Sequence, residues 1–256
     1  MRSWNTHWFA IGLIGLAALT AFAESYEWQF GSSLSYYTGD YGEDSDTDMV
    51  YIPLTIKRYL PRGAVSLVVP YISIDSPSGS RVVNGEVVAT GGGETSGSGL
   101  GDILIKGSYS LYEQEGRRPF VDLTTKLKLP TADEADGLGT GEPDLTLGVE
   151  LAYRYEKKFL GFTDLEYVMI GDPDDIDYDN RIIFDLGVGY DTPKVMYSLF
   201  YEYRTALLDS NDDPQSIFFF AHYRLRSDLR LEGMIDLGLS DGAADLGLTV
   251  GVKKRY

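Results

Sequence analysis

The sequence predicts an all-β fold: a transmembrane antiparallel β-barrel of about 12 strands, with periplasmic N- and C-termini. Three observations predict it. An apolar segment near the start has the features of a secretory signal, and the remaining chain alternates apolar and polar residues in about a dozen segments. The last residue, Tyr256, lies in phase with the final apolar row. An exported chain of such strands that ends on an aromatic residue is typical of the bacterial outer membrane.

The first residues resemble a signal peptide rather than a membrane anchor. Arg2 precedes the apolar run 9–22 (FAIGLIGLAALTAF), which ends in Ala21-Phe22-Ala23. A basic start, a short apolar centre and an A-x-A end predict cleavage between Ala23 and Glu24. The alternative, a spanning helix, needs about 20 apolar residues. The sequence therefore predicts a signal peptide at 1–23 and a barrel at 24–256.

Composition excludes several classes of function. The formal net charge of −17 argues against nucleic acid or an anionic surface as the partner. The absence of cysteine excludes disulfides, thiol nucleophiles and thiolate metal sites. The 19 Tyr, 11 Phe and 3 Trp suit the aromatic girdles of a barrel. A mean hydropathy of −0.15 fits as well, because a barrel carries its apolar surface on every second residue.

Period-two alternation defines the strands. In the last segment Leu246, Leu248 and Val250 alternate with polar residues and glycines. The apolar rows run for about five residues on one face, which matches the roughly 9–11-residue strand that a bilayer needs and favours a barrel over a soluble sandwich. The predicted strands are 25–39, 48–59, 63–75, 101–113, 118–130, 143–155, 159–170, 181–190, 194–207, 215–226, 228–239 and 243–256.

Charge predicts the orientation of the barrel. Because twelve strands place both termini at one end, and the chain enters from the periplasm, the short turns are predicted to be periplasmic. The connections assigned outside hold 21 Asp or Glu and a single base, Arg81, whereas the inner turns hold 15 Lys or Arg and five acids. Charges collected in loops at random would give both signs at both ends.

The connection 76–100 is too long for a plain hairpin. It either folds into the lumen as a constriction or is mobile, and its Gly- and Ser-rich composition favours mobility. A small hairpin of its own is also predicted around Asn84-Gly85, from Val82, Val83, Val87 and Val88.

Three motifs indicate a family. Gly99-Leu100-Gly101-Asp102 opens a strand, 126–131 (KLKLPT) closes another before 137–141 (GLGTG), and 240–245 (SDGAAD) enters the last strand. In this order they resemble the outer-membrane barrel family labelled for the meta-pathway of phenol degradation, over roughly residues 45–256. Ala132 stands where that family usually has glycine, and Tyr256 where phenylalanine is commoner. The resemblance implies a barrel and a transport role.

If the apolar residues of each alternating strand face lipid, the polar residues between them face the lumen. Neutralisation in ladders between neighbouring strands is the structural interpretation of these residues, and selection of solutes along a water-filled path is the functional one. Glu202 with Arg224 and Lys126 with Glu150 are candidate pairs. The candidate lumen-lining residues are Lys106, Asp122, Lys126, Lys128, Glu150, Arg154, Glu166, Asp185, Glu202, Arg204, His222, Arg224 and Glu232. The same phase adds Asp102, Asp164, Arg230, Asp236, Lys253 and Arg255.

Catalysis, cofactors and metals are not expected. A lipid-acting enzyme needs a Ser–His pair facing lipid. The barrel segment has one histidine, His222, whose neighbours Ala221 and Tyr223 take the lipid-facing phase. The acidic run 172–179 hints at calcium but lacks the glycine of an EF-hand loop, so a solvated loop is favoured over weak divalent binding.

The sequence thus predicts an outer-membrane channel of a Gram-negative bacterium for passive passage of small molecules, and the resemblance implies organic or aromatic ones. The alternative is a structural or surface-interaction barrel with a plugged lumen, and a lipid-acting enzyme is a minor one. Expected partners are outer-membrane lipid, the barrel-assembly machinery through the C-terminal strand, and a small-molecule solute, with no nucleic acid.

Overall fold

The computed structural model describes residues 27–256. The expected signal peptide and its cleavage site between Ala23 and Glu24 lie outside the described residues. Within them, no helix is long and apolar enough to cross a membrane.

The described chain consists of fifteen β-strands. They are β1 (Trp28–Gly39), β2 (Thr47–Leu60), β3 (Gly63–Ser76), β4 (Ser80–Val83), β5 (Glu86–Ala89), β6 (Thr95–Leu100), β7 (Ile103–Tyr112), β8 (Phe120–Leu129), β9 (Asp144–Tyr155), β10 (Phe159–Met169), β11 (Arg181–Asp191), β12 (Val195–Arg204), β13 (Gln215–Arg224), β14 (Leu229–Gly238) and β15 (Leu246–Arg255). Strands β4 and β5 form a separate hairpin, and the rest form one sheet.

The sheet closes into an antiparallel barrel of twelve spanning strands. Each strand pairs with its neighbour in sequence, β6 and β7 together make the fourth spanning strand, and β1 pairs with both β2 and β15. A closed ladder leaves no unpaired edge, which is the condition for a sheet inside a bilayer, where water cannot satisfy backbone groups. The predicted fold class and strand number are confirmed.

The fourth strand differs from its prediction. We expected it to begin at 101, but the chain already pairs with β3 from Thr95, and this pairing is interrupted at Gly101-Asp102 before it resumes in β7. At the interruption Gly101 N donates to Pro70 O at 2.9 Å. A Cβ on Gly101 would lie 2.4 Å from Ile72 Cδ1, so a larger residue here would force the Ile72 side chain to move. Alternation could not reveal β6, because its Gly- and Ser-rich sequence has no apolar row.

The apolar rows face outward as predicted. On β15 the side chains of Leu248, Val250 and Val252 are exposed, whereas Thr249 between them is buried. Thr249 Oγ1 donates to Ser35 Oγ at 2.9 Å across the junction of the last and first strands. Exposed apolar side chains on the outer wall are what a lipid environment requires.

The two ends of the barrel differ. The short-turn end has the connections 61–62, 113–119, 156–158, 192–194 and 225–228 together with both described termini. There Tyr256 packs edge-to-face on Phe30, with ring centroids 5.5 Å apart, under the ammonium of Lys254. The long-loop end has the remaining connections, including the β4–β5 hairpin. Aromatic rings beside basic groups suit a membrane–water interface.

Val250, in the middle of β15 and 64% exposed, provides a test of the outer wall. Val250→Arg should lower the free energy of unfolding by about 2–4 kcal/mol, because the charge enters the hydrocarbon near the bilayer midplane. Urea titration of the protein refolded in lipid vesicles measures this loss, with Val250→Leu as the matched control. An arginine variant as stable as the leucine variant would show that this face does not meet lipid.

Candidate functional site

The β4–β5 hairpin occupies the inside of the barrel near the long-loop end. Asn84 (φ 54°) and Gly85 (φ 90°) form a two-residue turn. Tight β-hairpins commonly use this kind of turn, in which both central residues have a positive φ. Val83 is fully buried, and Val82 and Val87 belong to the main apolar cluster of the lumen. The predicted hairpin is confirmed, but the preference for a mobile loop was wrong. Burial of its valines stabilises the docked hairpin. The Gly- and Ser-rich composition of the whole connection did not indicate this burial.

Charged contacts hold this hairpin to the wall. Glu86 Oε2 accepts from Arg181 Nη1 at 2.5 Å and also pairs with Arg204. Outside the lumen Arg81 donates two hydrogen bonds, of 2.8 and 3.2 Å, to the carboxylate of Asp175. The hydrogen bond from Arg81 holds the pKa of Asp175 below its usual range, so this ion pair persists until the solution is strongly acidic.

Backbone contacts add to these ties. Val82 N donates to Gly137 O at 2.8 Å, and Asn211 Nδ2 donates to Ala89 O at 3.0 Å. Both strands of the hairpin are therefore fixed, each to a different loop. The hairpin is therefore bound to the barrel at several points and is not a free loop.

A cavity of about 60 Å³ lies beside the hairpin at the long-loop end. Its walls are largely apolar and aromatic, and charged side chains close part of it. This combination suits a small ligand that is mostly apolar. The lining includes Tyr37, Met49, Val87, Phe218, Phe220 and Met234, with Glu86, Arg181, Glu202, Arg204 and Asp236 as the charged part.

Aromatic rings continue from this cavity into the lumen. Phe220 lies edge-to-face on Phe200 at 5.9 Å, and Phe200 stacks on Phe162 at 5.3 Å between centroids. Sequence reasoning missed these residues because it selected only the polar side chains of the inward phase, a phase that Phe162, Phe200 and Phe220 share. The signal was the run 217–221 (IFFFA), which is apolar in both phases and so cannot place all its rings on the outer wall.

The structure places all thirteen candidate lumen residues on the inner face, buried or partly buried. Lys128 and Asp185 are fully buried, and Arg154 and Arg224 lie near the short-turn end. That these side chains line a conducting path stays a prediction.

Both proposed ion pairs were wrong. Glu202 pairs with Arg204 on its own strand at 2.5 Å, and it lies opposite Ser216, eight residues from Arg224. Arg224 instead pairs with Asp191 at 2.5 Å. Lys126 lies opposite Thr146 rather than Glu150. Register decides which charges meet across two strands, and alternation fixes only the face.

His222 lies between an aromatic ring and a carboxylate inside the barrel. Its ring is buried, stacks on Phe220 at 6.0 Å, and has Nδ1 3.7 Å from Glu232 Oε2. Lys253 Nζ holds the same Glu232 oxygen at 2.6 Å. The inward direction predicted for His222 is confirmed.

The family motifs meet at Lys128. Its ammonium, fully buried, lies 3.0 Å from Asp144 Oδ2 and 3.4 Å from Asp102 Oδ2, and it donates to Thr140 Oγ1 at 2.8 Å. Asp102 also accepts from the backbone N–H of Thr131 at 2.9 Å. The GLGD, KLPT and GLGTG segments thus form one buried ionic cluster that joins the ends of β6, β8 and β9.

A row of acids crosses five adjacent strands, β8 to β12. In the register Asp122 is opposite Glu150, Glu150 opposite Asp164, Asp164 opposite Asp185, and Asp185 opposite Glu202. All five are buried. We expected alternating signs on neighbouring strands. The structure instead places like charges side by side, where each direct neighbour is destabilising.

No metal site is visible. Within residues 27–256, no group of three or more His, Asp or Glu side chains is placed to hold a metal ion. In the acidic loop 172–179, Asp172 Oδ1 accepts from Tyr178 N at 3.1 Å and Asp175 is bound to Arg81. At least two of its carboxylates therefore have protein partners.

Solved structures with the same architecture are outer-membrane proteins. An outer membrane channel from Pseudomonas putida F1 superimposes with a TM-score of 0.72 at 12% identity, covering 92% of this chain and 97% of that one. The NanC porin gives 0.54 at 11%, covering 89% and 100%. The deltaS2 mutant of the TodX monoaromatic hydrocarbon channel gives 0.53 at 11%, covering 91% of each.

The closed twelve-stranded barrel therefore has the fold of outer-membrane channels and porins. No curated protein sequence matches the chain. Residues 53–252 match the family described as "Putative MetA-pathway of phenol degradation", and the chain belongs to that family. The resemblance that the sequence motifs indicated is confirmed.

The Lys128 cluster should contribute strongly to stability. Lys128→Met leaves Asp102 and Asp144 buried without their cation, which should cost about 3–5 kcal/mol of the free energy of unfolding. The measurement is equilibrium unfolding of the refolded barrel. In an Asp102→Asn/Asp144→Asn background the same lysine change should cost much less. Equal costs in both backgrounds would mean that the ion pairs are not the source of the stability.

Proposed function

We propose that this protein is a passive outer-membrane channel for small molecules in a Gram-negative bacterium. The observation that carries the proposal is the cavity at the long-loop end, which opens beside the hairpin and continues into an aromatic and charged lumen. The barrel fold and the family membership support it. A passive channel needs no energy source and no reacting group. The solutes that pass are therefore selected by the narrow part of the lumen beside the β4–β5 hairpin.

The solute that best fits is compact and mostly apolar. Tyr37, Met49, Phe218, Phe220 and Met234 form an apolar wall, and rings and thioethers of this kind contact aromatic molecules favourably. The printed description of TodX as a monoaromatic hydrocarbon channel agrees with this choice. An enzymatic role has no comparable support, since the structural relatives described above are a channel, a porin and a hydrocarbon channel.

The short-turn end is proposed to face the periplasm and the long-loop end the outside. Charge supports this orientation, because the long loops hold 21 acids and one base whereas the short turns hold 15 bases and five acids. We also propose that outer-membrane lipid surrounds the apolar wall, and that assembly factors recognise β15. That strand closes the barrel on β1 through ten register pairs.

Cysteine labelling on intact cells tests the orientation. Asp174 and Lys158 are both exposed, one in the acidic loop and one in a short turn. With a membrane-impermeant thiol reagent, Asp174→Cys should react and Lys158→Cys should not, since the chain has no other cysteine. Labelling of Lys158→Cys alone would invert the proposed orientation.

The hairpin favours one alternative, a structural or surface-interaction barrel with a plugged lumen. Its ties to Arg181, Arg204, Asn211 and Gly137 would suit a permanent plug as well as a narrow constriction. The two functions differ in one measurable quantity, the ionic conductance of the refolded protein.

Planar-bilayer recordings separate these two functions. Wild-type protein should conduct steadily, and Glu86→Gln should raise the single-channel conductance because it weakens the contacts with Arg181 and Arg204. Glu94→Gln, in an exposed part of the same connection, is the matched control and should leave conductance unchanged. Silent bilayers for the wild type, and equally for a variant whose residues 80–89 are replaced by a Gly-Ser linker, would contradict the channel.

A further inference from the structure

The acid row on β8–β12 is unusual because most of it has no counter-ion at contact distance. Glu202 pairs with Arg204. The carboxylate oxygens of Asp122, Glu150, Asp164 and Asp185 are buried without a hydrogen-bond partner among residues 27–256. Isolated carboxylates are costly to bury, and four in adjacent register positions also repel one another. A cation between them would offset this cost.

A neighbouring hydroxyl points to the same place. Thr124 follows the same face of β8 as Asp122, and its Oγ1 is buried with no hydrogen-bond partner among the described residues. It lies against Gly148, where a Cβ would be 2.5 Å from this oxygen and 3.0 Å from Glu166 Cγ. Glycine at 148 therefore lets the Thr124 hydroxyl and Glu166 pack closely at this point of the inner face.

Bases in the lumen offset the row only in part. Lys106 and Lys126 face each other on β7 and β8, and Lys57 on β2 attracts Glu150 and Asp122. Within residues 27–256, neither Lys57 nor Lys126 comes within 4.0 Å of a carboxylate of the row, whereas Arg204 is taken by Glu202 and Glu86. The wall at β8–β12 therefore keeps an excess of negative charge.

Aromatic side chains run alongside the acids. Phe162 is two residues from Asp164 on β10, and Phe200 is two residues from Glu202 on β12, so each ring shares the inner face with an acid. Glu202 and Phe218 also line the cavity at the long-loop end, which connects that cavity to the row. A cation attached to an apolar body finds carboxylates and ring faces side by side here.

We propose that the acid row and the adjacent aromatic rings form a binding site for an organic ammonium solute, a protonated primary amine on a compact aromatic or aliphatic body. The ammonium donates hydrogen bonds to carboxylates of the row, and the body packs on Phe162 and Phe200. The row is not placed to coordinate a bare metal ion. This inference rests on the proposed channel function for its role in transport, but binding itself requires no conduction.

Block of potassium current in planar bilayers tests the site in the channel. Phenethylammonium should reduce the current in a concentration-dependent way, and in Asp164→Asn/Asp185→Asn the half-blocking concentration should rise about tenfold or more, since charged hydrogen bonds are lost. Glu94→Gln is the control and should behave as the wild type. Phe200→Leu should weaken block by phenethylammonium more than block by methylammonium. Equal block by phenylacetate, or block unchanged in the double variant, would overturn the proposal.

Binding without conduction is the second measurement. Isothermal titration calorimetry of the detergent-solubilised barrel with phenethylammonium should give heat of binding for the wild type and Glu94→Gln, and about tenfold weaker binding for Asp164→Asn/Asp185→Asn. Far-ultraviolet circular dichroism verifies that the variant is folded. A silent bilayer with retained binding would reject the channel alone, whereas conduction without amine binding would reject this site alone.

Discussion

Closure of the backbone ladder is the constraint on which everything else depends. A sheet in lipid must pair every strand, and a twelve-stranded sheet does so by joining β15 to β1. Closure fixes the inner face, so every polar side chain in phase must share one enclosed space, and register then decides which of them meet. The acid row follows from this geometry: its members are far apart in sequence, and the ladder aligns them on adjacent strands.

Alternation was sufficient to predict the outer wall and insufficient to predict the interior. Val250 and Leu248 follow from period two, because the lipid face tolerates little except apolar side chains. The inner face of a barrel has no such rule. It accepts Phe200 as readily as Glu202, so a search of the inward phase for polar side chains alone overlooks the phenylalanine. Partner choice was equally hidden, since it depends on register.

The motifs carried more structural information than their functional label suggested. Asp102 belongs to one motif, Lys128 and Thr140 belong to the two parts of another, and all three meet in one buried cluster. A lysine without solvent exposure needs full pairing, which Asp102, Asp144 and Thr140 supply here. Sequence spacing did not show this, because 26 residues separate Asp102 from Lys128 and only the strand ends bring them together.

The hairpin also has a consequence for the order of folding. Arg81 contacts Asp175 at a separation of 94 residues, and Ala89 contacts Asn211 at a separation of 122. Asp175 and Asn211 reach their positions only when the later strands are in place. The hairpin therefore docks after the wall has assembled around it. Its valines stay exposed during that interval, and exposed apolar segments of this kind are prone to aggregate.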